Sequence, residues 1–183
     1  MPTPNYKAWW RAAETHPMSF LTRAREYQKA ANILFDAVDQ PRDRNNLVPL
    51  SNPVYYLFTH TVELALKAFL RAHDEEVPTG RDGHALIALH GQCQALGLRL
   101  PGDDPLGLQN VVTPLASEND VHQDFRYFTP NCSGVPELSW TRDVVAALIQ
   151  IVGERVEAAG YVFPPEGVAK MQFVIGKPRE RAS

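Results

Sequence analysis

Cysteine is scarce in this chain. Two residues, Cys93 and Cys132, among 183 cannot build a disulfide framework or a multi-thiolate zinc site. Long apolar runs are missing too. The most apolar stretch, Val144 to Val152, is interrupted by Gln150 and is far short of the ~20 residues that a membrane span needs. No sign of charge dominates. Lys plus Arg is 18 and Asp plus Glu is 21, a formal net charge of −3. That excludes a surface that is cationic throughout, while leaving room for a local basic patch. Met1 to Arg11 mixes Pro, Asn, Lys and Trp and has no apolar run before a small-residue cleavage site, so the expected location is cytoplasmic. Gly-x-Ser-x-Gly, a phosphate-binding Gly loop and a Rossmann fingerprint are all absent, which argues against the common hydrolases, kinases and dehydrogenases. There is no internal repeat, no low-complexity segment and no run of strands able to build a sheet.

What is present is helical periodicity punctuated by proline and glycine. The composition, 44% hydrophobic and 21% charged, is ordinary for a globular protein. Tyr6 to Thr15 fits a short helix that Pro17 ends. Ser19 then serves as the N-cap of a longer helix over about 19–39, with Phe20, Ala24, Tyr27, Ala31, Leu34 and Val38 on one face. Asn52-Pro53 opens a second helix running to about His73. It is apolar on most sides, as befits the central helix of a bundle. Asp82 caps a third over about 83–97, with Leu86, Leu89, Cys93 and Leu96 as its seam and Gly97 as its terminator. Cys93 therefore reads as core rather than reactive. Leu106 to Asn119 is helical in pattern, but Pro114 should kink or divide it. Pro136-Glu137 opens a last helix to about 159, with Trp140, Val144, Leu148, Ile151 and Val152 inward.

The expected fold is all-α, an up-and-down bundle of four main helices with extra short helices. The chain divides into an N-terminal extension (1–18), a bundle (19–160) and a C-terminal arm (161–183). In the arm, Met171 to Ile175 is an apolar run expected to dock on the bundle or on another subunit.

One stripe on the second helix differs from its surroundings. Tyr56, His60, Glu63, Lys67 and Arg71 share a face. Glu63 and Lys67 at i, i+4 could be an ordinary surface pair. On so apolar a helix, however, a polar stripe must either line a cleft or be locked into a network, because an unpaired buried charge is costly. A metal site would need Glu-x-x-His motifs from different helices; here the order is reversed and there is one copy, so no metal or other cofactor is expected. Gly83-His84 fits a tight turn whose His bonds a neighbour, at a helix start that disfavours the imidazolium. Arg126, beside Tyr127 in Asp124-Phe-Arg-Tyr-Phe128, either pairs with Glu118, Asp120 or Asp124 or turns inward to offer Glu63 a bidentate fork. The expectation is that Glu63, His84 and Arg126 converge, with Lys67 and His60 at the edge.

The second helix, "His60-Thr-Val-Glu63-Leu-Ala-Leu-Lys67-Ala", followed by "Gly83-His84-Ala-Leu86-Ile-Ala-Leu89" and later by Arg126-Tyr127, resembles HEPN-like bacterial proteins. The resemblance covers roughly residues 19–158. It implies a small helical bundle, a homodimer, and either a metal-independent ribonuclease or a non-catalytic module associated with RNA or nucleotides in bacterial defence and toxin–antitoxin systems, with room for a cognate protein partner. The nuclease members carry Arg, four to six residues, then His on a late helix. Here that helix has Arg142 and Arg155, and no His follows His122. Arg11 to His16 is the one literal match and lies outside the bundle. What carries over is Glu63, Lys67 and Gly83-His84. The resemblance thus implies a binding or regulatory module, with a divergent ribonuclease using His60, His84 and Arg126, or a purely structural interaction module, as alternatives.

Overall fold

The computed structural model describes residues 16–38, 51–78, 80–100, 107–117 and 134–160. The N-terminal extension before 16, the Arg126-Tyr127 segment and the arm from 161 lie outside the described residues. Among those that are described, the secondary structure is entirely helical: α1 (Pro17–Val38), α2 (Ser51–Arg71), a 3-10 turn (Gly80–His84), α3 (Leu86–Ala95), α4 (Gly107–Ala116) and α5 (Leu138–Ala158).

Helix ends follow from a few side chains. α1 starts at Pro17 rather than after a Ser19 cap. His16 takes the cap role: its Nδ1 accepts from the Met18 N–H at 3.2 Å and its carbonyl accepts from the Ser19 N–H at 2.9 Å. Pro17 fills the first helical position, where its fixed φ fits and its missing donor is not needed. α3 closes in a Schellman motif. Gly97 sits at φ +91, its N–H donates to the Gln94 carbonyl, and the Leu98 N–H donates to the Cys93 carbonyl. α2 closes the same way on Asp74, at φ 59. Asp is among the few non-glycine residues that tolerate this region. Glu137 caps α5 by accepting from the Ser139 and Trp140 N–H groups at 3.0 and 2.7 Å. Those bonds, led by the Ser139 hydroxyl, hold its carboxyl below the usual range.

α2 is the centre of the packing. Val54, Phe58, Val62, Ala65, Leu66 and Ala68 on it are fully buried, facing α1, α3, α4 and α5. Its buried Thr59 and Thr61 satisfy themselves by donating to the carbonyls four residues back. α5 runs parallel to α2. Tyr55 near the start of α2 donates its hydroxyl to the Pro136 carbonyl just before α5, while Phe69 and Ala158 near the two C-termini line one groove. α1 runs antiparallel to α5: Arg25 approaches Gly153, and Phe35 lies under Arg142, whose guanidinium is 4.5 Å from the ring centroid.

Three expectations need correction. α3 begins at Leu86, not at 83, because Gly80–His84 winds as a 3-10 turn first; Asp82 offers its carbonyl to the Ala85 N–H rather than a side-chain cap. α4 passes through Pro114 without dividing, so of the two outcomes expected there it is the division that fails. The proline withholds a donor from the Asn110 carbonyl, and Asn110 is exposed, so water can supply it. Trp140 is 37% exposed, while Thr141, Val144 and Val145 take the inward positions. At the first turn of α5 the core-facing arc falls on 141, 144 and 145, and 140 lies at its margin.

Candidate functional site

Glu63 is almost fully buried in the middle of α2, at 4% exposure. Such a carboxylate needs partners for both oxygens. Lys67, one turn on, donates from Nζ to Glu63 Oε1 at 2.6 Å, and the lysine too is buried. His84, brought in by the 3-10 turn from 21 residues away, places Nδ1 at 3.1 Å from the same oxygen. His60 Nδ1 lies 3.9 Å from Oε2. An ionised carboxylate only accepts, so His84 Nδ1 carries the proton and Nε2 is left to face away from Glu63. The His84 side chain is 65% exposed. The cluster is thus a sealed ion pair with an imidazole standing on it at the surface.

The turn is built to allow this. A Cβ at Gly83 would lie 2.4 Å from the Pro78 carbonyl oxygen, so glycine is the residue that lets the turn fold back against residue 78 and aim His84 at Glu63. On its other side the cluster joins an aromatic group. The His60 ring stacks on Tyr27 from α1, with centroids 5.4 Å apart and planes at 29°, and meets Tyr56 edge-on at 4.5 Å. Periodicity puts Tyr27 on the apolar face of α1 and does not say which helix that face meets; its contact with the polar stripe of α2 is a product of the packing.

The structure therefore brings together His60, Glu63, Lys67 and His84. Lys67, expected at the edge, is instead the buried direct partner of Glu63. Arg126 and Tyr127, the remaining candidates, lie outside the described residues. No protein-family model, no curated protein and no solved structure matches this chain. Its chemistry has to be read from its own side chains.

Among the described residues, no group of three or more His, Cys, Asp or Glu side chains is arranged to hold a metal ion, and no helix is long and apolar enough to cross a membrane. Cys93 is buried and its Sγ donates to the Leu66 carbonyl; burial pushes the thiol up to about 12, which leaves it protonated and inert. An open groove of about 420 Å³ lies elsewhere, between the C-terminal ends of α2, α3 and α5. Two of its polar groups close helix ends: Arg99 donates to the Gln94 and Leu98 carbonyls, and His73 Nδ1 bonds the Phe69 carbonyl.

Proposed function

We propose that this chain is a HEPN-like module, an up-and-down bundle of four main helices that works in the cytoplasm as a homodimer and binds RNA or a nucleotide without cleaving it. The observation that carries this reading is the division of labour within the cluster. Glu63 is engaged by Lys67 at 2.6 Å inside the protein and serves as an anchor, while His84, at 65% exposure against 24% for His60, is the group of the cluster most displayed to the surface. One oriented imidazole can hydrogen-bond a phosphate or a hydroxyl. General acid–base cleavage asks for a second group on the other side of the reacting atoms. The late helix α5 also lacks the histidine that the nuclease members carry there.

A second reading, a divergent metal-independent ribonuclease, draws on the same dyad. A carboxylate on Nδ1 fixes the tautomer of an imidazole and orients its Nε2, as a general base requires. One experiment separates the two. A mixed RNA pool is incubated with the protein, with and without chelator, and both retention and fragment length are scored for wild type, His84→Ala and His60→Ala. Retention of intact RNA that weakens in His84→Ala supports the binding module. Chelator-resistant fragments that vanish in His84→Ala replace it with the ribonuclease. Neither retention nor fragments would leave the cluster as a device that fixes the turn on α2. Sedimentation tests the dimer in the same preparations.

A further inference from the structure

The proposed site continues into a second set of groups with a different chemistry. His60 is shared between them: its Nδ1 is 3.9 Å from Glu63 Oε2, and its ring stacks on Tyr27 and meets Tyr56. Tyr27, Tyr56 and His60 are all part-exposed. One turn before Tyr27, on the same face of α1, Arg23 is 65% exposed. Its contact with Glu26 at 2.7 Å is a surface pair, with the carboxylate 57% exposed. Pairs of this kind are weak and readily exchanged.

Ordinary core packing does not account for three part-exposed π systems gathered beside a displayed imidazole, with a surface guanidinium one helical turn from Tyr27. A stacked pair with a third ring set edge-on to it, left part-open to water, attracts another flat ring. The imidazole and the guanidinium attract an anion or a hydroxyl. A nucleotide carries a flat ring, a ribose and a phosphate on one short frame. A base inside a duplex has both faces covered, so the ring must be unpaired.

We propose that Tyr27, His60 and Tyr56 form a stacking platform for an unpaired nucleobase, with His84 and Arg23 placed to meet the attached ribose phosphate. This rests on the RNA- or nucleotide-binding reading above and adds the part of the ligand that is recognised. The platform selects single strands over duplex, and it tolerates different bases because every base offers a π face. Arg23 makes binding salt-dependent.

The test is a fluorescence-anisotropy titration of the full chain with three probes: a short single-stranded RNA, the same sequence as a duplex, and a 5′-mononucleotide. Wild type is compared with Tyr27→Leu, Tyr56→Leu and Tyr27→Phe, with circular dichroism confirming that each is folded. The expected result is single-strand binding at least about tenfold tighter than duplex, a loss of about tenfold or more in at least one leucine variant, and retention in Tyr27→Phe, which keeps the ring. Mononucleotide binding as tight as the strand identifies the free nucleotide as the source; strand binding alone identifies RNA. If the wild type binds the single strand and both leucine variants bind it equally well, the platform is overturned while the RNA-binding reading stands. If the wild type binds none of the probes, both fall.

Discussion

Glu63 and Lys67 would be a minor surface pair on most helices, worth a few tenths of a kcal/mol. Here both side chains are almost sealed, and the accounting changes. Lys67→Met should destabilise the protein by about 3–5 kcal/mol, toward the lower end because His84 remains to face the carboxylate. Urea unfolding of Lys67→Met against the double variant Glu63→Leu/Lys67→Met checks this: the double variant should recover much of the loss, since no lone charge is left inside. His90 behaves differently. It is 5% exposed on α3, and burial first, then Arg99, holds its pKa below the ordinary 6.5. The unfolded chain therefore takes up a proton at this residue before the folded one does. The stability linked to His90 is complete above 6.5 and is lost as pH falls from there through the lower folded value. Melting temperatures measured from about pH 7.5 down to about pH 5.5 should fall more steeply for wild type than for His90→Leu.

At the scale of elements, two glycines in adjoining segments should respond in opposite ways to the same substitution. A Cβ at Gly83 would lie 2.4 Å from the Pro78 oxygen and 3.1 Å from its carbonyl carbon, both backbone atoms that have little room to yield. Gly83→Ala should cost about 1–3 kcal/mol and draw His84 away from Glu63. Gly91, inside α3, has nothing within 4 Å of the added carbon. Gly91→Ala should stabilise by about 0.5–1 kcal/mol, through helix propensity alone. Paired urea titrations give the signs, and the imidazole resonances of His84 by NMR report whether the 3-10 turn has moved. Equal effects at the two positions would contradict the geometry of the turn.

For the whole molecule, the α1–α5 contact depends on a missing side chain. Gly153 is buried on α5, and a Cβ there would lie 2.8 Å from the Arg25 Nη2 atom. That atom is the far end of a flexible side chain, so Gly153→Ala should be close to neutral, the swing of Arg25 offset by better helix propensity. Gly153→Leu has no such escape and should cost on the order of 1–3 kcal/mol as the two helices are pushed apart. Thermal melts of the two variants test the antiparallel register of α1 on α5. A leucine accepted at 153 without loss would mean that the helices are not in contact there.

Much of this architecture was legible in the residues. The apolar recurrence in α2 and α5, the proline before Glu137 and the glycine at 97 act within one or two helical turns, and backbone geometry translates that spacing directly into local structure. The Glu63–Lys67 pair is local in the same sense, since residues four apart on a helix are neighbours wherever that helix goes. Spacing could not say that this pair would be sealed, that His84 would arrive from 21 residues away on Oε1, or that Tyr27 would stack on His60. It also placed the start of α1 at a Ser19 cap and turned Trp140 inward, because which residue caps a helix depends on what stands before it, and whether a tryptophan faces inward depends on how its helix is rolled. Those outcomes depend on the crossing of α1, α2 and α5 and on the tight turn at Gly83. Periodicity determines which face of a helix is apolar, but the partner of each polar group is decided only when helices far apart in sequence pack together.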